Sequence, residues 1–223
     1  MVVVAPHPDD ESIGCGGLIA MLRQLDRPVS VLLLSDGAMS HPGSRRWPRP
    51  ARACLRLAEF HAAVSALGVE AESTRALGWP DGSLPDEHRA GFHDAVAKMA
   101  DCLEELAPTT LVVPWRRDPH PDHQAASAIA RSANASLPVP ARLLEYAVWA
   151  AERGCPADQP QCGEATCWSV DIASVVDLKL RAVAAHQSQL GGLIDDDPSG
   201  FVLSKEMLAR CALPRETYYE VNV

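Results

Sequence analysis

No apolar run in this 223-residue chain approaches the ~20 residues needed to cross a bilayer, the longest lying at residues 1–6 and 29–34, so no membrane span is expected. No secretory leader is visible, because Met1 is followed at once by Val2, Val3 and Val4 without a basic region or a small-residue cleavage site, and a cytoplasmic location is expected. Positive charge is scarce. The 20 Lys and Arg stand against 29 Asp and Glu, and a net charge of −9 repels polyanions, which argues against a nucleic-acid partner. CxxC spacing is absent too: the seven cysteines are odd in number and scattered, which suits a reducing compartment better than a disulfide framework. Cys155, Cys162 and Cys167 cluster, but without the spacing of zinc ligands. There is no internal repeat or low-complexity tract. Gly14, Gly16 and Gly17 lack the GxGxxG order of a dinucleotide loop, and the acidic residues just before them would repel a pyrophosphate. Small residues there instead let a helix pack close to a sheet.

What remains is a globular composition, 47% hydrophobic and 22% charged, long enough for one sizeable core, and residues 1–223 are read as a single domain. Short β-branched runs at 1–5, 29–34 and 110–113 read as buried strands, with a weaker strand at 69–77. Apolar residues at helical spacing follow at 12–25, 52–67, 87–106 and 124–135. Pro and Arg between 41 and 50 make that segment a long loop. Beyond it, strands are expected at 143–149, 166–170 and 217–221, and helices at 175–186 and 203–211. The alternation predicts an α/β fold, a Rossmann-like, mostly parallel sheet with helices on both faces. Arg45, Arg46, Arg49, Arg52 and Arg56 form a local basic run, read first as a solvated face and second as contacts for an anionic group on a substrate.

In open α/β sheets ligands bind beyond the carboxyl ends of the strands. Two polar clusters stand there: Ala5-Pro6-His7-Pro8-Asp9-Asp10-Glu11 after the first strand, and Asp118-Pro119-His120-Pro121-Asp122-His123 after the strand ending at Val113. Imidazoles and a carboxylate drawn from two neighbouring loops make an open two-His-one-carboxylate site that leaves a coordination position free. The prolines restrict both loops and help hold such ligands in place.

These clusters resemble the motifs of the PIG-L/LmbE family of zinc-dependent N-deacetylases, which carries (A)HPDDE after its first strand and HPDH after a later one. The resemblance implies that His7, Asp10 and His123 hold the metal, that Asp9 is the general base, that His120 stabilises or protonates the tetrahedral intermediate and that Asp122 orients a histidine. Fainter likenesses extend over most of the chain: Ser35-Asp36-Gly37, Arg56 with Glu59, the run from Leu77 to Gly82, and His186-Gln187-Ser188-Gln189. By the same resemblance Arg56, Asp81 and His186 are candidate substrate-binding residues. Glu11 reads as a structural carboxylate at a helix start, and Trp47, Trp79 and Trp115 as packing before sugar stacking.

The expected activity is removal of an N-acetyl or other short N-acyl group from an amino sugar or its conjugate. The expected cofactor is Zn2+, and the same donors also suit Fe2+, Co2+ or Mn2+. An amidase acting on a non-sugar N-acyl metabolite and a non-catalytic metal- or sugar-binding module are the alternatives. Whether copies of the chain form a homo-oligomer is left open by the sequence.

Overall fold

Four small apolar residues, Val2–Ala5, form β1, and every one is buried, as a central parallel strand with both faces covered requires. The computed structural model describes residues 1–221. The other strands are β2 (Ser30–Ser35), β3 (Thr74–Trp79), β4 (Thr110–Pro114), β5 (Arg142–Tyr146), β6 (Ala165–Asp171) and β7 (Arg215–Val221). All seven join one sheet in the order β3-β2-β1-β4-β5-β7-β6. The first five pair in parallel; β7 runs antiparallel to both β5 and β6. This is the mostly parallel α/β sheet that the alternation predicts.

Alternate residues of β1 feed different cores. Val3 and Ala5 pack with α1 (Asp10–Gln24), α2 (Arg49–Ala66), α6 (Val176–Ala185) and α7 (Lys205–Cys211), while Val2 and Val4 face α3 (Phe92–Leu106) and α4 (Pro121–Ser136). Each fully buried valine contributes about 1.5–3 kcal/mol of hydrophobic stabilisation. The glycines of α1 permit close approach: a Cβ on Gly14 would lie 2.2 Å from the Tyr146 ring, and one on Gly17 2.5 Å from Ile172.

Several boundaries differ from the sequence expectation, each for a local reason. Helix α4 starts at Pro121 rather than at 124, because Pro at the first turn has no N–H to satisfy and the His120 side chain accepts the Asp122 N–H as an N-cap. Likewise α2 starts at Arg49, with Pro50 in its first turn. Helix α3 starts only at Phe92, after Gly91 takes a left-handed conformation at φ 91°. The strand expected over 143–149 stops at Tyr146, and Trp149 instead leads into the short helix α5 (Ala150–Arg153). A turn of 3-10 helix, Ala71–Ser73, occupies part of the strand expected at 69–77.

The chain leaves β1 for β2 and β3 on one side and returns to put β4 on the other, so strand order reverses between β1 and β4. Their carboxyl ends therefore diverge into a crevice. Both histidine clusters emerge there.

Candidate active site

The loop after β1 enters α1 through Asp9, whose φ of 131° is a conformation that costs a non-glycine residue on the order of 1–3 kcal/mol. The neighbours hold it. Glu11 Oε2 accepts the Asp9 N–H at 3.1 Å, and Arg56 donates to Asp9 Oδ2 at 3.2 Å and to the carbonyl of Pro8. Arg56 and Arg52 are buried, so the solvated reading of the arginine run fails for these two and holds for the exposed Arg45, Arg46 and Arg49. Arg52 donates to the carbonyls of Ala38 and Trp47 at 2.8 and 2.6 Å, pinning the loop before α2.

Asp10, His7 and His123 converge. Asp10 Oδ2 lies 3.2 Å from His7 Nδ1 and 3.1 Å from His123 Nε2. The far nitrogen of each ring faces further carboxylates: His7 Nε2 is 3.1 Å from Asp122 and 3.2 Å from Asp81, and His123 Nδ1 is 3.3 Å from Asp118. Both ring nitrogens of His123 are buried yet make no hydrogen bond of good geometry. Two imidazoles aimed at one carboxylate oxygen, with carboxylates behind them, form a donor set that fits a divalent metal. His120 adds a third ring, since nitrogens of His7, His120 and His123 lie within 4.8 Å of one another, and so do donor atoms of His7, Asp81 and Asp122.

The charges follow from this packing. Burial pulls His123 down, but Asp10 and Asp118 overcome it and hold the ring at about 9. His7 is likewise opposed by burial and raised by Asp10, Asp122 and Asp81. Asp10 ends well below the carboxylate range, because His123 and His7 outweigh its burial. Asp9 behaves oppositely: burial pushes it up to about 6 even with the Arg56 cation beside it. Burial, with His7 and His123 nearby, drops His120 to about 4. Its Nδ1 accepts the Asp122 N–H at 3.2 Å, which leaves the proton of the neutral ring on Nε2.

A cavity of about 260 Å³ opens onto His7, Asp9, Asp10 and His120. Arg56 and Asp81 line it from the β2 and β3 side, Asp81 with one oxygen toward His7 and the other accepting the Met39 N–H at 2.7 Å. A larger groove of about 1250 Å³ along α4 and β5 contains none of these residues. His186 does not reach the cavity wall. It is buried behind the site, 2.9 Å from Glu11 Oε1, so it stands in a column His186–Glu11–Asp9 beneath the crevice. Trp115 is wholly buried, with its Nε1–H donated to the carbonyl of Asp158 at 2.6 Å, in keeping with packing. Asp122 meets His7 rather than another histidine and also accepts the N–H groups of Gly82 and Leu84 at 2.8 and 3.2 Å.

Sequence reasoning assigned nothing to Asp118, although it stands within the second cluster. Nothing in a polar loop's periodicity tells which side chain points inward. Trp149, Arg153 and Phe201, which also line the cavity, were missed because they come from segments far from either motif.

Several known proteins are similar to this chain. A probable N-acetyl-α-D-glucosaminyl L-malate deacetylase 2 of Bacillus anthracis is 29% identical over 195 residues, covering 85% of this chain and 80% of its own. The 1D-myo-inositol 2-acetamido-2-deoxy-α-D-glucopyranoside deacetylase of Nocardia farcinica is 29% identical over 277 residues, covering 100% of this chain and 90% of its own. The solved N,N'-diacetylchitobiose deacetylase of Pyrococcus horikoshii shares the fold with a TM-score of 0.69 at 23% identity, over 86% of this chain and 71% of that one. The profile of the PIG-L family, GlcNAc-PI de-N-acetylase, matches residues 2–134 and so takes in both histidine clusters; the chain belongs to the PIG-L family of de-N-acetylases.

Proposed function

We propose that this protein is a metal-dependent deacetylase that hydrolyses the acetamido group of an amino sugar or amino-sugar conjugate, with Zn2+ the first-choice metal. The observation that carries the reading is the Asp10 carboxylate shared by His7 Nδ1 and His123 Nε2, with Asp9 next in the chain. His7, Asp10 and His123 hold the metal. When bound, a divalent metal polarises the amide carbonyl and lowers the pKa of water to about 7.

Asp9 takes the proton of the attacking water. Its elevated pKa makes it a better base than an exposed carboxylate while it still ionises near neutrality. His120, with its proton on Nε2, donates to the oxygen that becomes negative in the tetrahedral state. Asp122 and Asp118 keep His7 and His123 in the required orientation. Arg56 has Nε and one further nitrogen without a partner, and with Asp81 it supports contact with the polar groups of the sugar. The acetamido sugar common to the names of the Bacillus and Nocardia relatives supports the substrate class. All seven cysteines are free thiols, which supports a reducing compartment such as the cytoplasm. No helix among the described residues is long and apolar enough to cross a membrane.

The test is acetate release from a panel of N-acetylglucosaminides and N-acyl amino acids by the zinc-loaded protein. Turnover of the glucosaminides, abolished by Asp9→Asn, supports the reading. Turnover confined to the N-acyl amino acids overturns the sugar assignment, and binding of sugars without any turnover overturns the enzyme.

A further inference from the structure

The cavity has a second wall that the chemistry above does not use. It is built by Trp149 and Arg153, which follow β5, and by Phe201, from the segment between α6 and α7. The Arg153 guanidinium lies over the Trp149 ring at 4.0 Å from its centroid, and the Trp149 and Phe201 rings meet edge to face at 5.4 Å. Arg153 is exposed and has no carboxylate partner among the described residues. Its neighbour Glu152 is engaged elsewhere, with Ser204 at 2.9 Å and Arg210 at 3.6 Å.

The Trp149 end of the wall is anchored. Asp118 accepts the N–H groups of Val148 and Trp149 at 3.0 and 2.9 Å, tying its backbone to the residue behind His123. Met39 also lines the cavity and is exposed.

The cavity's size sets the division of labour. Pockets for drug-sized ligands run to about 300–1,000 Å³, so about 260 Å³ seats one ring near the histidines and leaves the rest of the molecule at the rim. We propose that Trp149, Phe201 and Arg153 form a subsite for the group attached to the sugar, and that this group is a flat apolar moiety carrying a carboxylate. The inference rests on the amino-sugar reading above. The partly exposed Phe201 ring covers the apolar part, and the Arg153 guanidinium, held over the buried Trp149 ring and without a carboxylate partner, takes the carboxylate.

Methyl, phenyl and 4-carboxyphenyl N-acetylglucosaminide test it with wild type, Arg153→Gln and Phe201→Ala. Wild type should favour the carboxyphenyl over the phenyl compound by about tenfold in kcat/KM, the usual scale of a charge-assisted hydrogen bond. Arg153→Gln should erase that preference. Phe201→Ala should lower the phenyl-over-methyl preference by a few fold. Equal rates for phenyl and carboxyphenyl compounds in wild type, or an unchanged ratio in Arg153→Gln, overturn the proposal. Calorimetric binding of the same compounds, run in parallel, reads the subsite even without acetate release. If no compound is hydrolysed, the deacetylase reading falls, and the binding ratio still decides the subsite.

Discussion

Asp118 meets His123 Nδ1 at 3.3 Å, with both side chains wholly shielded from solvent. Its other oxygen receives the backbone of Trp149. One carboxylate therefore orients a candidate metal ligand and anchors the far wall of the cavity. Asp118→Asn should lower zinc affinity by about 10–100-fold, the usual effect of losing a carboxylate behind a ligating histidine. Competition with a chromogenic chelator measures it, and unchanged affinity would remove Asp118 from the metal's support.

Asp9 is set apart from Asp10 by burial without a histidine partner. Asp9→Asn should retain zinc stoichiometry while lowering kcat by about 10²–10⁴-fold, the range for a general base. Because the base acts when deprotonated and stands at about 6 before a cation is bound, activity should rise with pH along an acid limb at or below pH 6. A limb centred well above pH 6 would assign the base elsewhere.

The loop before α2 is clamped rather than free. Asp196 accepts Ser44 Oγ–H at 2.6 Å and the N–H groups of Arg45 and Arg46 at 2.8 and 2.9 Å, and these bonds, led by Ser44, lower its carboxyl to about 2. A carboxylate depressed on folding stabilises the folded form fully above its unfolded value of 3.8 and loses that contribution as pH falls through about 2. Amide protection at Arg45 and Arg46 should therefore decline between pH 4 and 2. At neutral pH, Asp196→Asn should speed tryptic cleavage after Arg45 and Arg46. Identical cleavage rates would mean that the clamp lies elsewhere.

Gly14→Ala offers a check on packing. Alanine ordinarily favours a helix by about 1 kcal/mol over glycine, but here its Cβ would lie 2.2 Å from the Tyr146 ring. Overpacking of about 1–3 kcal/mol should win, and Tyr146 has little room to yield because its hydroxyl donates to the Val4 carbonyl at 2.8 Å. Denaturant unfolding should show a net loss of stability; a gain would show that the ring moves freely.

Residue type and local period carried much of this protein in the sequence. The β-branched run of β1, the helical spacing behind it and the two His-Pro-Asp clusters are statements about neighbours in the chain, and so is the expectation of an α/β sheet. The helix starts at Arg49 and Pro121 were harder, because a proline that breaks a helix interior is harmless in its first turn. Which distant groups meet is another matter. Only the strand order, with β4 returning beside β1, brings Asp10 to His123 and Asp122 to His7. Likewise only helix packing sends Arg56 onto Asp9 and buries His186 behind Glu11. A side chain's partner across the fold depends on the register and twist of elements many residues away, and no local period records that. Residue chemistry and spacing thus determined what kind of site these loops could build, while tertiary contacts decided which carboxylate stands behind which histidine.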